Sequence, residues 1–453
     1  MSNIESTQPG STGELTPPTP PDLPARNSGH RQDIQLLVFY FICILGLLIR
    51  GVYSSVTGIL NYDPKYAASL ASSILEALAM LFCVFLFLPP LIDTLKHIKG
   101  QAIPPAKVHP VKFWQVSVLG VLWVMVIALG AWITNLFNFG WAVTSPLFIL
   151  GIVLPVFIFL WIGTGGLPIG SQRRLWSVLG YGMVGGTLAA AALEYLVVGI
   201  AALGLGLLAI SNPQLLTFFN NVKDQVANNA GDMQALLNVF SPYLTNPLVI
   251  LAILVFAAGV APLIEEAVKP AVLWMMGKHL HSPAQGFVLG ILCGAGFALM
   301  EGLLAVSGAT QMLGFGLAGR AVSSLMHITA SGFMGWAIVS SQIDKRYGRL
   351  ALTYLLSVGI HALWNGSIVM IVYGALRVST QSTQADLPGM LIIIAGLCIL
   401  GIEMISMAAA LPLINHRLRQ VPVASSPLVQ SDIIAPLGPS NSRKNNGLDS
   451  KDR

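Results

Sequence analysis

Long apolar runs separated by short polar connections fill most of the 453-residue chain. A helix needs about 20 residues to cross the roughly 30 Å of bilayer hydrocarbon. Ten stretches are long enough: 35–52, 68–92, 113–136, 142–163, 176–210, 247–275, 284–308, 318–341, 350–373 and 389–415. Placing the connections alternately on two sides tests that division. One side collects Arg26, Arg31, Lys96, Lys99, Lys107, Lys112, Arg173, Arg174, Lys278, Lys345, Arg346, Arg349 and the basic C-terminal residues. The other collects only Arg50, Lys65, Lys223, Arg320 and Arg377. The positive-inside rule then puts both termini in the cytoplasm. The run 176–210 has length enough for two short crossings, but splitting it would export Lys345, Arg346 and Arg349, so one crossing is expected.

The expected fold is all-α, a polytopic transmembrane bundle of about ten helices with disordered polar tails. Its parts are a cytoplasmic tail at 1–33, helices over 34–211, an extracytoplasmic connection at 212–246, a block of polar-bearing helices at 247–373, a last helix at 389–415 and a basic tail at 416–453. Residues 1–33 are rich in Pro, Ser, Thr and Gly and hold no apolar run, which predicts disorder and no cleavable signal. The connection 212–246 is mildly amphipathic and reads either as an interfacial helix on the outer face or as an ordinary structured loop.

Composition agrees with a multi-pass membrane protein: 55% of residues are hydrophobic, 9% are charged and the mean hydropathy is +0.74. The net charge of +5 is spread between apolar segments and the tail, so it marks topology rather than a nucleic-acid surface. Cys43, Cys83, Cys293 and Cys398 all fall in apolar runs without metal-ligand spacing and read as packing residues.

Against this background the polar residues inside the later runs stand out, because an ionisable group in hydrocarbon is costly and marks a functional site. Glu265 and Glu266 lie four and three positions before Lys269, within reach of its ammonium. Pro262 and Pro270 bracket them and should bend the helix, freeing carbonyls nearby. Gly286, Gly290 and Gly294 form a small-residue ridge for close helix contact, and Glu301 lies about 20° from Gly294 around the axis. Arg320, Ser324, His327 and Ser331 make one polar stripe, and Ser357, His361 and Asn365 another, beside Trp364. Glu76, Glu194 and Glu403 are further acids in apolar context, read as helix-to-helix hydrogen-bonding groups.

Glu265-Glu266-x-x-Lys269, Phe297-x-x-x-Glu301, His327 followed by Gly332 and Gly335, and His361-x-x-Trp364-Asn365 resemble, in order, the motifs of the PrsW family of intramembrane proteases. That family is in turn similar to the CAAX-prenyl endopeptidase-like membrane proteases. The resemblance covers about 247–373. Gly302 stands where Asn would follow the second-motif Glu, and Asn365 where relatives often place Asp. What it implies is an endopeptidase of the cell membrane that cuts a membrane-anchored protein, such as a regulatory protein of the anti-sigma-factor kind, near the bilayer surface.

The residue chemistry leaves two routes to such hydrolysis. In one, Glu301, His327 and His361 hold Zn2+ with an open fourth position, and Glu265 or Glu266 takes a proton from water. In the other, the histidines act directly and Asn365 donates to the oxyanion. Lys269, the partner of both acids, is counted with the catalytic residues. The same relay of Glu, His and Lys would also suit a proton- or cation-coupled transporter, although the two halves of the chain show no inverted repeat. Substrate and oligomeric state are not legible in the residues.

Overall fold

Proline and glycine decide where these helices break and where they touch. The structure, a computed structural model, describes residues 26–60, 67–101, 103–136, 140–228, 233–244, 246–306, 313–380 and 386–420. Four helices open it: α1 (Arg26–Leu60), α2 (Ala67–Ile98), α3 (Phe113–Leu136) and α4 (Gly140–Thr164). A continuous rod follows, made of α5 (Gln172–Gly180), a π-turn at Tyr181–Gly186 and α6 (Thr187–Ser211). The short helices α7 (Pro213–Asn228) and α8 (Met233–Leu244) lead to a second rod. It consists of α9 (Pro247–Leu254), a π-turn at Val255–Val260, α10 (Ala261–Val268) and α11 (Ala271–Met276). The long helices α12 (Pro283–Val306), α13 (Leu313–Asp344), α14 (Tyr347–Thr380) and α15 (Leu387–Gln420) complete the chain.

Among the described residues there is no strand beyond the isolated bridge between Pro105 and Ser171. Among the described residues, ten rods are long and apolar enough to cross a membrane. The stretch 172–211 is one of them, a single 40-residue rod. The connection 212–246 carries α7 and α8, tied by Phe218 edge-on to Tyr243 at 5.3 Å between ring centroids.

The N-terminal helix begins at Arg26, inside the segment 1–33 expected to be a tail. Asp33 explains the earlier start. It is 3% exposed, accepts from the Arg173 guanidinium and pairs with His97 Nδ1 at 2.8 Å. A residue that reads as solvated in sequence is thus an anchor among α1, α2 and α5. The expected tails otherwise fall on 1–25 and 421–453, outside the described residues.

The bundle is centred on α12 and α13, whose membrane windows are 89% and 83% buried against 6% for the α5–α6 rod. Glycine makes this possible. A Cβ on Gly286, Gly290 or Gly294 would stand 2.1–2.4 Å from the carbonyl oxygens of Gly335, Ser331 and His327 on α13. On the opposite face of α12, a Cβ on Gly296 would meet the Leu179 oxygen at 2.2 Å, and one on Gly182 would meet that of Cys293 at 2.3 Å. Backbones therefore touch on both sides of α12, which fixes the axial position of every side chain it carries.

Gly290→Ala should cost about 1–3 kcal/mol, as overpacking against immovable backbone does. Gly204→Ala, at a position with nothing within 4 Å, should cost nothing. Thermal unfolding of the two purified variants in the same detergent checks the contrast.

Candidate active site

The second rod is broken twice, and each break is latched by a side chain from another helix. In the π-turn the Ala261 N–H reaches back to the Phe256 carbonyl, and the next residue, Pro262, has no N–H to give. The Ala257 carbonyl is left without an intrahelical donor, and Asn365 Nδ2 donates to it at 2.8 Å. At the lower break, Lys269–Pro270, the Val268 carbonyl accepts from Tyr181 Oη at 3.1 Å, and between the breaks Tyr354 Oη donates to Leu263 O inside α10 at 2.7 Å. In hydrocarbon an unmatched carbonyl costs several kcal/mol, so side-chain donors at the breaks help an interrupted helix to exist there. Asn365, expected as a possible oxyanion donor, commits one of its two donors to this task.

Between the latches, α10 delivers Glu265, Glu266 and Lys269. The lysine does not run to a membrane surface. Its side chain is 0% exposed, and Nζ lies 2.7 Å from Glu266 Oε1, 2.9 Å from Glu265 Oε2 and 2.8 Å from His327 Nδ1. The Phe297 ring covers it at 4.3 Å. An ammonium has three donors, and here three acceptors surround it.

The two imidazoles share a pattern. His361 Nδ1 is 2.9 Å from Glu266 Oε1, and His327 Nε2 is 2.7 Å from Glu301 Oε2. Arg320 holds the other oxygen of Glu301 at 2.9 Å. The rings stand 5.1 Å apart and nearly perpendicular, at 88°. Each ring thus has one nitrogen held by a carboxylate and turns the other toward Glu265 and Lys269: His361 Nε2 is 3.9 Å from Glu265 Oε2.

Among the described residues, Glu265, His327 and His361 each offer a ligand atom within 4.8 Å of the other two. Glu301 falls outside that group because it sits on the far edge of the His327 ring with Arg320. The converging carboxylate is therefore Glu265, where the sequence suggested Glu301. One carboxylate and two imidazoles form the donor set of a three-ligand zinc site with an open position. Carboxylates on the second ring nitrogens are what such ligands use to fix their orientation. Glu266 Oε2 is buried with no hydrogen-bond partner, an acceptor left free beside the cluster. The Lys269 ammonium lies against His327 Nδ1 and Glu265 Oε2, so the residues fit a metal once Nζ moves off the imidazole nitrogen that would ligate it.

Exposure is graded across the cluster. Glu266, Lys269, His327 and His361 are sealed, whereas the Glu301 side chain is 37% exposed. The outlet lies on the α12 side. One open apolar groove of about 480 Å³ runs along α9 and its π-turn and another of about 400 Å³ lies between α14 and α15, and neither is lined by a site carboxylate or imidazole.

Of the three other acids in apolar context, Glu76 does bridge helices, accepting from Arg50 Nε at 2.6 Å and Ser54 Oγ at 2.8 Å. Glu403 is 8% exposed and neither oxygen has a partner. Glu194 departs furthest from expectation, for it lies within electrostatic reach of Glu265, Lys269, His361 and Glu301. Its signal in the sequence was Gly186, Ala190 and Glu194 at intervals of four, one stripe with small residues below the acid.

Residues 172–397 match the family model described as PrsW family intramembrane metalloprotease. No curated protein and no solved structure matches the chain.

Removing the ammonium would leave two buried carboxylates uncompensated. Lys269→Met should cost about 3–5 kcal/mol, the range for breaking a buried pair, and Lys269→Met combined with Glu266→Gln should recover part of it. Unfolding midpoints of the single and double variants measure the coupling.

Proposed function

Because the chain belongs, through residues 172–397, to the PrsW family of intramembrane metalloproteases, we propose that the cluster hydrolyses a peptide bond of a membrane-anchored protein and that Glu265, His327 and His361 hold zinc there. The observation that carries this reading is the pairing of each imidazole with a carboxylate on one nitrogen, while Glu265, His327 and His361 each offer a ligand atom within 4.8 Å of the other two, around the place where Lys269 Nζ now sets positive charge.

Zinc supplies Lewis-acid polarisation of a carbonyl and of water when it is bound. The protein groups do the rest. Glu266 fixes the His361 ring through Nδ1, and Glu301, steadied by Arg320, fixes His327 through Nε2. Glu266 Oε2, the oxygen no protein group occupies, takes the proton of the attacking water. Lys269 keeps both carboxylates of α10 in place and offers positive charge beside the developing oxyanion. Asn365 serves by holding the π-turn, and Glu301 by orienting a ligand. The ten crossings and the loop charges described above support a cell-membrane protein with both termini cytoplasmic.

Comparing membrane-proteome N-termini from cells carrying the unaltered protein with those carrying Glu266→Gln or His361→Ala should reveal juxtamembrane termini that only the unaltered protein produces. Identical termini under several stresses, together with ion-coupled uptake into proteoliposomes, would replace proteolysis with transport. The metal assignment has its own readout. Zinc content of the purified protein should persist in Glu266→Gln and fall in His327→Ala and His361→Ala; retention in both histidine variants would remove these ligands.

A further inference from the structure

Glu194 is the one charged residue of α6 and makes no ion pair or hydrogen bond among the described residues. It belongs to a stripe that faces α10. Gly186 and Ala190 are buried, and a Cβ on Gly186 would lie 3.9 Å from the Lys269 Cα, so this end of α6 rests on the lysine. Each step of four residues drifts about 40° around a helix and climbs about 6 Å. Two steps carry Glu194 about 12 Å up from the Lys269 level and to the edge of the packed face, which accounts for its being half-buried. Consecutive crossings run in opposite directions, so Glu265 lies about 6 Å up the same axis from Lys269. The electrostatic reach of Glu194 to Glu265, His361 and Glu301 agrees with that placement. Its neighbours on α6 are lipid-facing, with Leu193 43%, Tyr195 78% and Leu196 57% exposed.

A carboxylate without a partner, set between lipid on one side and the cluster on the other, has no packing purpose. It does have a chemical one. A membrane segment presented for hydrolysis must unwind at the scissile bond, and its freed N–H groups then lie in hydrocarbon without acceptors, at several kcal/mol each. The other acids are committed elsewhere: Lys269 and His327 hold Glu265 and Glu301, and the free Glu266 Oε2 is the oxygen that takes the proton of water. We propose that Glu194 is the peptide-binding acceptor of this site, taking the N–H of an unwound substrate segment that enters between α6 and the outlet at Glu301. The inference rests on the proteolytic reading and adds how the substrate is held.

The test quantifies, in cells, the Glu266-dependent membrane-protein termini for Glu194→Leu and Glu194→Gln. Leaving the substrate N–H without its acceptor costs about 10- to 100-fold. Glu194→Leu should therefore lower cleavage by about that factor, while Glu194→Gln, whose amide oxygen still accepts, should stay within about 5-fold of the unaltered protein. Zinc content and unfolding midpoint of both purified variants should be unchanged, since Glu194 is outside the ligand group. Cleavage by Glu194→Leu at the unaltered rate would overturn the proposal. An equal fall in both variants would make the charge, not the acceptor, the requirement and overturn it too. A Leu variant with lost stability or lost zinc would make Glu194 a structural residue and likewise end it. Absence of any Glu266-dependent terminus removes the proteolytic reading itself, whereas such termini left unchanged in Glu194→Leu remove only this inference.

Discussion

A single ammonium buried far from water organises the second half of this protein. Lys269 draws Glu265 and Glu266 from its own helix and His327 from α13 into one contact shell, and Glu266 passes the constraint to His361 on α14. None of these groups could be buried alone, because an isolated charge in hydrocarbon costs far more than any one contact returns. Together they neutralise one another and set the spacing of three helices. A charge network of this kind gives little net stability, but it selects one arrangement of the helices that carry it.

The network needs a rigid seat, which the glycine contacts around α12 provide. Backbone-to-backbone approach on both faces of that helix leaves Glu301 and Phe297 no axial freedom, and it fixes the level of His327 across the interface. The interrupted rod opposite is held differently, by hydroxyl and amide groups reaching its carbonyls. One wall of the site is therefore defined by the absence of side chains and the other by side chains that replace missing backbone donors.

Much of this was legible in the sequence because the membrane penalises polar residues so heavily. The ten crossings follow from apolar length, and the ridge at Gly286, Gly290 and Gly294 from small residues at helical spacing. The reach of Lys269 to both acids follows from intervals of three and four. What spacing could not show was which edge of an imidazole each acid would meet. Glu301 and Glu265 are equally plausible partners of His327 in one dimension, and only the rotation of α13 against α12 assigns Glu301 to the Nε2 edge. Asp33 was misread for the opposite reason. Its partners Arg173 and His97 are distant in sequence, so a buried anchor looked like part of a polar tail. Glu194 reads in sequence as a helix-to-helix hydrogen-bonding group because α6 carries no other charged residue to tie it to the cluster.

The close contact of α12 with α13 has a mechanical consequence. Two helices whose main chains interlock at successive glycines behave as one stiff plate, unable to slide or part without collision. The two interrupted rods, by contrast, each contain a π-turn, a place where the helical ladder is already loosened. On the proposed function, a movement that admits a peptide to the cluster would belong to these two rods, which lean on the plate as jaws on an anvil. Their exposed flanks make the surrounding lipid, through its thickness and lateral pressure, part of the hinge.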